Sequence, residues 1–524
     1  MEKVFNISIV LPERNLSQHS VDLINWCVAH KQINVACLIW SQEKNKKATR
    51  NIFWKLILMI ERAKLKIKQI EKDNIHQYIS SIERLLEFRL SENENEDETT
   101  KKINCLKIDL HIALVVDPLF SALKNTSKNG ILCLIGETLS SKENSPYFFD
   151  EVLQKINQTK FKIIHFQPKK EKVMILKEGA FLTHGYFLAN QENILLRQNF
   201  YLQRTMELIL QGKIHHERFE ENLNINKPIE APSMQSQLRY VLHLFKLFLK
   251  RLLYFIKGQD VWNVGLYRGD WRNMDFNNIT HIKNPKNHFL ADPFVITKKN
   301  QSYCFVEDFD IKASKGLISV YEIGSKTTKC LGIALKENFH LSFPYLFECE
   351  SKTYMLPETS DNKDIRIYEA VDFPLQWKLC KIIKKDIRAA DSMIFQHNNL
   401  WWLFSNINPI GDSDFCSELS LFYTDHPIHG QWIAHPNNPI VFDPSFARNG
   451  GIILEDNCIY RVGQNQSFGI YGGGGFSINK IIKLTPDVYK EESSLIVKPN
   501  FFKGNKGAHH FHSNGSFSAF DFLT

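Results

Sequence analysis

Ten cysteines are present, yet no two of them form a C-x-x-C pair. They stand at Cys27, Cys37, Cys105, Cys133, Cys304, Cys330, Cys349, Cys380, Cys416 and Cys458. That spacing gives a structural zinc no support, and no metal ligand set is expected. Several sit in apolar runs, as Cys133 does in GILCLIG, and read as buried free thiols of a reducing compartment. A stretch of about 18 uninterrupted apolar residues, the length of a membrane span, is also missing. The opening MEKVFNISIVLPERN lacks a long apolar core and a small-residue cleavage site, so no secretory signal is expected. The expected location is the cytoplasm. Basic residues are not gathered into a tail: 65 Lys and Arg against 57 Asp and Glu give a net charge of +8, spread along the chain. A nucleic-acid binder usually shows a concentrated basic stripe, so no nucleic-acid partner is expected.

The 524 residues exceed what one core usually serves, and two domains follow. Residues 1–222 alternate strand-like runs (FNISIVL, INVACLIW, LHIALVV, GILCLIG, FKIIHF) with helical spacing, which implies an α/β domain with a mostly parallel sheet. Within it SENENEDETTKK (91–102) is acidic and without period, and reads as a solvated loop. Residues 223–259 form a linker around one helix, 235–257. There Arg239, His243, Lys246, Lys250 and Lys257 draw a basic stripe through an otherwise apolar surface. A helix this apolar must bury most of its surface. It is either a connector wedged between domains or a helix lying in an anionic membrane surface, the latter a peripheral membrane contact at the inner face.

From 260 to 524 helical spacing nearly disappears, and a pattern returns five times. ADPFVITKKNQSYCFVED, SFPYLFECESKTYMLPET, ADSMIFQHNNLWWLFSN, RNGGIILEDNCIYRVGQ and GAHHFHSNGSFSAFDF begin at 291, 342, 390, 448 and 507. Each is an apolar strand, a polar turn and an aromatic-rich strand. A period near 50 in an all-β region predicts propeller blades, and five copies predict five blades. If the first strands are innermost, Asp292, Asp391, Arg448, His509 and His510 at their heads converge on one axial pocket.

Glycosyl chemistry uses two carboxyl groups across the scissile bond. This half offers Asp292, Asp391 and Glu358 as candidate catalytic groups, with Glu307 and Asp308 closing the second strand of the first repeat. The plainer reading of Asp292 and Asp391 is turn or strand-start chemistry. Arg448, Arg461, His509 and His510 add positive charge, either to neutralise carboxylates or to grip a phosphate. Trp262, Trp271, Trp377, Trp401, Trp402 and Trp432 offer either sugar-stacking faces or blade core. IYGGGGF (470–476) has no helix after it and reads as a loop.

The layout resembles the five-bladed propellers of glycoside hydrolase families 43 and 32. That resemblance implies an Asp at 292, an Asp at 391 and an acid-donating Glu in blade four, where this chain has Arg448 and Asn449. HFLADPF, FVED, LSFPYLFE, YMLPE, GQWIAHPNNP, ARNGG and YRVGQ resemble more closely the propeller region of the plant glucosamine inositolphosphorylceramide transferases. This implies a carbohydrate context, a sugar, nucleotide-sugar or sugar-phosphate ligand, and pocket roles for Asn449 and Gln464. Residues 177–209 resemble the formyltransferase-like domain of related bacterial proteins. The segment that should carry its histidine reads NGILCLIGETL, with Gly136, Glu137 and Thr138 instead, so formyl transfer is not expected. No cofactor is implied. Two functions follow: an enzyme of surface-glycan or glycolipid assembly, or a non-catalytic glycan-binding module on an inactive formyltransferase-like fold.

Overall fold

The structure is a computed structural model of the chain. It describes residues 4–12, 16–41, 51–67, 69–70, 75, 77–79, 85–90, 96–115, 123–136, 148–170, 173–213, 218–220, 231–257, 260–276, 278–324, 327–411, 414–455, 458–466 and 471–524. Apart from Ala180–Leu182, the chain divides into two compact units at Leu252/Leu253.

In the N-terminal unit Phe5–Pro12 is flanked by Ile33–Ser41 and Leu110–Ala113, all parallel; Leu86–Leu90 and Ile131–Gly136 extend this parallel core on either side. Gln158–Phe166 then joins antiparallel, and Val173–Leu182 and Arg218–Glu220 complete eight strands. The central strands read as near-continuous apolar runs because helices cover parallel sheets on both faces. Val10, Ile39, Cys133 and Ile164 pack there in one cluster. Helix Gln18–Ala29 starts where Ser17 Oγ accepts the Ser20 N–H at 3.1 Å, an ordinary N-cap. The acidic stretch expected to be loop differs: Glu96–Cys105 is a helix, with a Glu98–Lys102 pair one turn apart, while 91–95 lie outside the described residues.

Helix Met234–Lys257 is not a free linker; through Leu252 it belongs to the N-terminal unit. Tyr240 is fully buried there against Trp54, Phe149 and Phe187. His243 turns inward, its Nε2 at 2.9 Å from the Gly185 carbonyl, so the expected basic stripe is interrupted. The helix also leaves much of its apolar surface exposed, contrary to the expectation of burial.

The C-terminal unit is five antiparallel groups of strands, the fourth and fifth joined by one parallel bridge between Ile453 and Ser513. The first holds His288–Lys298, Gln301–Asp310, Lys315–Ile323 and Thr328–Leu335. The second holds Ser342–Cys349, Lys352–Glu358, Asp364–Asp372 and Gln376–Lys385; the third runs from Ala389–His397 and Leu400–Ile407 to Glu418–Thr424 and Ile433–Ala434. The fourth holds Asn449–Glu455, Cys458–Gln464, Phe476–Leu484 and Tyr489–Val497. The fifth combines Phe511–Ser513 and Phe517–Leu523 from the end of the chain with Trp262–Arg268 and Thr280–Ile282 from the start of the unit. Each first strand neighbours the next, and the fifth returns to the first. This closed ring is the arrangement of propeller blades, and sharing one blade between both ends of the unit locks it. Gly451 shows how tightly blades four and five meet: at φ +124° a Cβ would lie 2.1 Å from the Phe511 carbonyl oxygen.

Candidate functional site

The heads of the first strands do converge. Strand pairing, one residue off the repeat starts in the last two blades, places Asp292, Phe343, Asp391, Gly450 and His509 at equivalent positions around the ring. At the first four the strand bulges, with register shifts at Ala291/Phe294, Ser342/Tyr345, Ala390/Met393 and Asn449/Gly451. Asp292, Phe343 and Asp391 have φ of 48°, 46° and 47°, in the left-handed region. A bulge re-aims a side chain, and strain of this kind is held where surrounding structure fixes it. The two aspartates therefore sit inside strands, and the turn reading of them fails.

The second strands deliver the rest. Glu307 pairs with Ala291, Glu358 with Ser342 and Asn406 with Ala390, one step from each bulge. Arg448 Nε donates to Asp391 Oδ2 at 2.6 Å, and its Nη2 lies 3.9 Å from Glu358 Oε2. Gln464 Nε2 donates to the same Asp391 oxygen at 2.9 Å. Glu358 lies beside the Asp391 carboxyl, and its Oε2 accepts the Asp391 N–H at 3.3 Å. On the other side, His509 Nε2 lies 3.2 Å from Asp292 Oδ1 and its Nδ1 2.9 Å from Asp521 Oδ1. Asp521 also accepts the N–H groups of Asp292, His509 and His510.

Five carboxyl groups thus face one guanidinium and three imidazoles, those of His509, His510 and His340, the last with Nε2 3.6 Å from Glu307 Oε1. Burial drives the Glu358 carboxyl well above its ordinary range; Asp391 raises it further and Arg448 opposes. Burial likewise drives Glu307 well up, helped by Asp292 and Glu358. Asp391 is raised by burial, against Arg448. Of the two it is Glu358 that Asp391 pushes up, while Arg448 holds Asp391 down. Burial alone would push His509 down, but Asp521 and Asp292 outweigh it and lift the imidazole to about 10. Burial keeps neighbouring His510 neutral, down to about 3, with Nδ1 3.7 Å from Asp292.

Several expected residues are elsewhere. Arg461 is fully buried but bound to Glu491, at 2.5 and 2.9 Å, and to the Phe446 carbonyl at 2.7 Å. Strand alternation turns Asp308 away from Glu307, to Ser319 at 2.7 Å and His288 at 2.6 Å. Asn449 is structural: its N–H goes to Asn406 Oδ1 and its amide to the Asp391 carbonyl, both at 2.8 Å. Nor does Arg448 stand open to grip a phosphate, since its guanidinium is committed to Asp391. Of the tryptophans, Trp262 lies with its ring 4.2 Å from the His509 ring and tilted by 54°, whereas Trp401 and Trp402 lie in blade core. Glu137 and Thr138 lie outside the described residues.

Sequence reasoning missed Asp521, Asn406 and Tyr471. Asp521 was legible as the one charge in the apolar strand SAFDF. Tyr471 was hidden in a glycine run, yet its ring takes the Arg448 guanidinium at 5.1 Å and is 41% exposed. Asp292, His509 and Asp521 also bring one potential ligand atom each within 4.8 Å, a geometry that could hold a metal ion. A histidine raised to about 10 already supplies a cation there.

Ring and pocket together define a class: a β-propeller with an acidic axial site. Residues 274–516 match the family described as glucosamine inositolphosphorylceramide transferase 1, N-terminal. Glucosamine inositolphosphorylceramide transferase 1 of Oryza sativa subsp. japonica is 33% identical over 262 residues, covering 45% of this chain and 35% of the relative. The Arabidopsis thaliana protein is 33% identical over 263 residues, covering 45% and 34%. The resemblance read from the motifs is thereby shown for the C-terminal half. The chain spans about a third of the length of these curated relatives. Among solved structures, a family 117 glycoside hydrolase of Zobellia galactanivorans is 12% identical with a TM-score of 0.33, covering 50% of this chain and 90% of that one. An α-L-arabinanase of Penicillium chrysogenum is 10% identical with a TM-score of 0.30, covering 46% and 74%. Likeness at that level says nothing of chemistry.

Proposed function

We propose that the axial pocket binds a sugar unit of a glycolipid or surface glycan and carries out acid–base glycosyl chemistry on it. The observation that carries this is the Glu358–Asp391 pair: two carboxyls, one accepting the Asp391 N–H and pushed up by burial and by its neighbour, the other ion-paired to Arg448. Pairs of titratable groups pushed apart by their surroundings mark acid and base assignments. Glu358 is the proton donor to the leaving oxygen. Asp292, held by His509, is the carboxylate that activates the nucleophile or attacks the anomeric carbon. Asp391, fixed by Arg448 and Gln464, orients the proton on Glu358. Trp262 and Tyr471 flank His509 and offer ring faces to a sugar. With Arg448 and His509 both engaged by internal carboxylates, the site favours a neutral or amino sugar over a free sugar phosphate.

A second reading has its own support. The same ion pairs that fix the carboxylates also neutralise them, which suits a glycan-binding module. The N-terminal unit, in this account, is a formyltransferase-like platform without formyl transfer, working in the reducing compartment that ten free cysteines fit. The test is turnover of glucosamine-containing glycolipids and aryl glycosides by the full chain, beside binding of the same sugars by calorimetry. Glu358→Gln should cut turnover at least a hundredfold while leaving binding within a few fold, since general acid catalysis contributes about 10²–10⁴. Binding without turnover in the unaltered protein decides for the module.

A further inference from the structure

The helix Met234–Lys257 turns one face into the N-terminal unit through Gln237, Tyr240 and His243. The face beside it is exposed and apolar: Leu238, Leu242, Phe245, Leu249 and Leu252, spaced four and three residues apart. Phe245 is 56% and Leu242 58% open. A second helix over the same aromatic cluster, Ile52–Leu65, does the same with Ile52, Leu56, Met59 and Ile60. Scattered exposed apolar residues need no explanation, but nine on two helices sharing one support do.

Charge says what covers them. Met234–Lys257 contains no Asp or Glu, and carries Arg239, Lys246 and Arg251 on its exposed surface. Ile52–Leu65 has a single acid, Glu61, and it is buried on Tyr240 and the Leu188 N–H; its exposed surface adds Lys55. No helix among the described residues is long and apolar enough to cross a membrane. Apolar side chains flanked only by positive charge, on helices too polar to span, are the pattern of helices that lie in an anionic lipid surface. We propose that these two helices seat the N-terminal unit on an anionic membrane, with Leu242, Phe245 and Leu249 in the acyl boundary and Lys246 and Arg251 at the headgroups. The inference is independent of the chemistry assigned to the propeller pocket.

The full chain should co-sediment with phosphatidylglycerol–phosphatidylcholine vesicles and partition at least tenfold less onto phosphatidylcholine alone. Salt at 0.5 M should weaken the anionic binding. Lys246→Glu with Arg251→Glu should lower partitioning by an order of magnitude or more, as each basic residue near such a surface contributes roughly fivefold. Phe245→Asp should do likewise. Both alter exposed positions, and an unchanged circular dichroism spectrum checks the fold. In Phe245→Trp, the indole should shift to the blue on anionic vesicles and be quenched by brominated acyl chains. Equal binding to both vesicle types, or to neither, overturns the proposal. So does an unquenched, already blue-shifted indole without lipid, which would assign the face to protein packing, whether against the propeller or a second copy.

Discussion

Both units bury carboxylates, and they do so in opposite ways. In the N-terminal unit Glu61 is hydrogen-bonded on both oxygens by neutral donors, although burial still raises it, as it raises the other buried carboxyl there, Glu151. Tyr240 donates its hydroxyl proton to one oxygen, and the other accepts the Leu188 N–H at 3.0 Å, at the start of helix Phe187–Leu210. In the propeller five carboxyls crowd around one arginine and three histidines, of which burial lowers His340 and His510 and only His509 is raised, and protons make up the difference. A carboxylate matched by neutral donors holds structure together. A surplus of carboxylates over cations stores protons, and stored protons are what acid–base chemistry needs.

The largest effect should come from removing the cation. Arg448→Ala leaves Asp391 buried beside Glu358 without its ion pair, and losing one partner of a buried pair costs about 3–5 kcal/mol. Hydrogen exchange read residue by residue should show the loss in the propeller and little change around Glu61. An equal loss in both units would break the contrast.

Alkaline pH should separate the units next. The folded His509 sits at about 10 against an ordinary 6.5, so its stabilisation is complete below about pH 6.5 and fades as pH climbs toward 10. The expected loss is on the order of a few kcal/mol, seen as faster exchange at 508–512, and His509→Gln should flatten it. His111, buried in the N-terminal unit on Ser8 at 2.5 Å and Thr126 at 2.9 Å, behaves the other way. Burial lowers it to about 3, so its contribution is present above 6.5 and is lost as pH falls from there toward 3. The acid limb is shared, because His510 is lowered similarly. Between about pH 6.5 and 9 the loss belongs to the propeller; above 9 it is shared, because burial pushes the Cys27 and Cys37 thiols of the N-terminal unit up to about 12.

Tyr240→Phe tests the satisfied carboxylate. It removes the proton donor to Glu61 and the acceptor for the Phe187 N–H at 2.8 Å, and should cost about 1–3 kcal/mol, confined to the N-terminal unit. The smallest change is of opposite sign. Above pH 4.5 an unfolded Glu358 releases its proton while the folded one keeps it, so its raised pKa penalises folding at neutral pH. Glu358→Gln should therefore stabilise the propeller by about 1 kcal/mol in denaturant titrations at pH 8, even as it abolishes turnover. A destabilised Gln variant would mean that the proton on Glu358 contributes little.

Much of this was legible from residues alone. The repeat starting at 291, 342, 390, 448 and 507 determined the number of blades, because a sheet that cannot bury both faces must stack on copies of itself. Strand heads marked Asp292, Asp391 and His509, and strand ends marked Glu307 and Glu358. Which cation meets which carboxylate was decided only by the folded ring. Arg448 and Arg461 lie 13 residues apart in sequence, yet one reaches Asp391 and the other Glu491. Asp308 differs from Glu307 by one step of a pleat and faces the other side. Period along a chain sets how many units form and what they offer. Pairing between side chains from different blades depends on distances across the ring, and no local spacing encodes those.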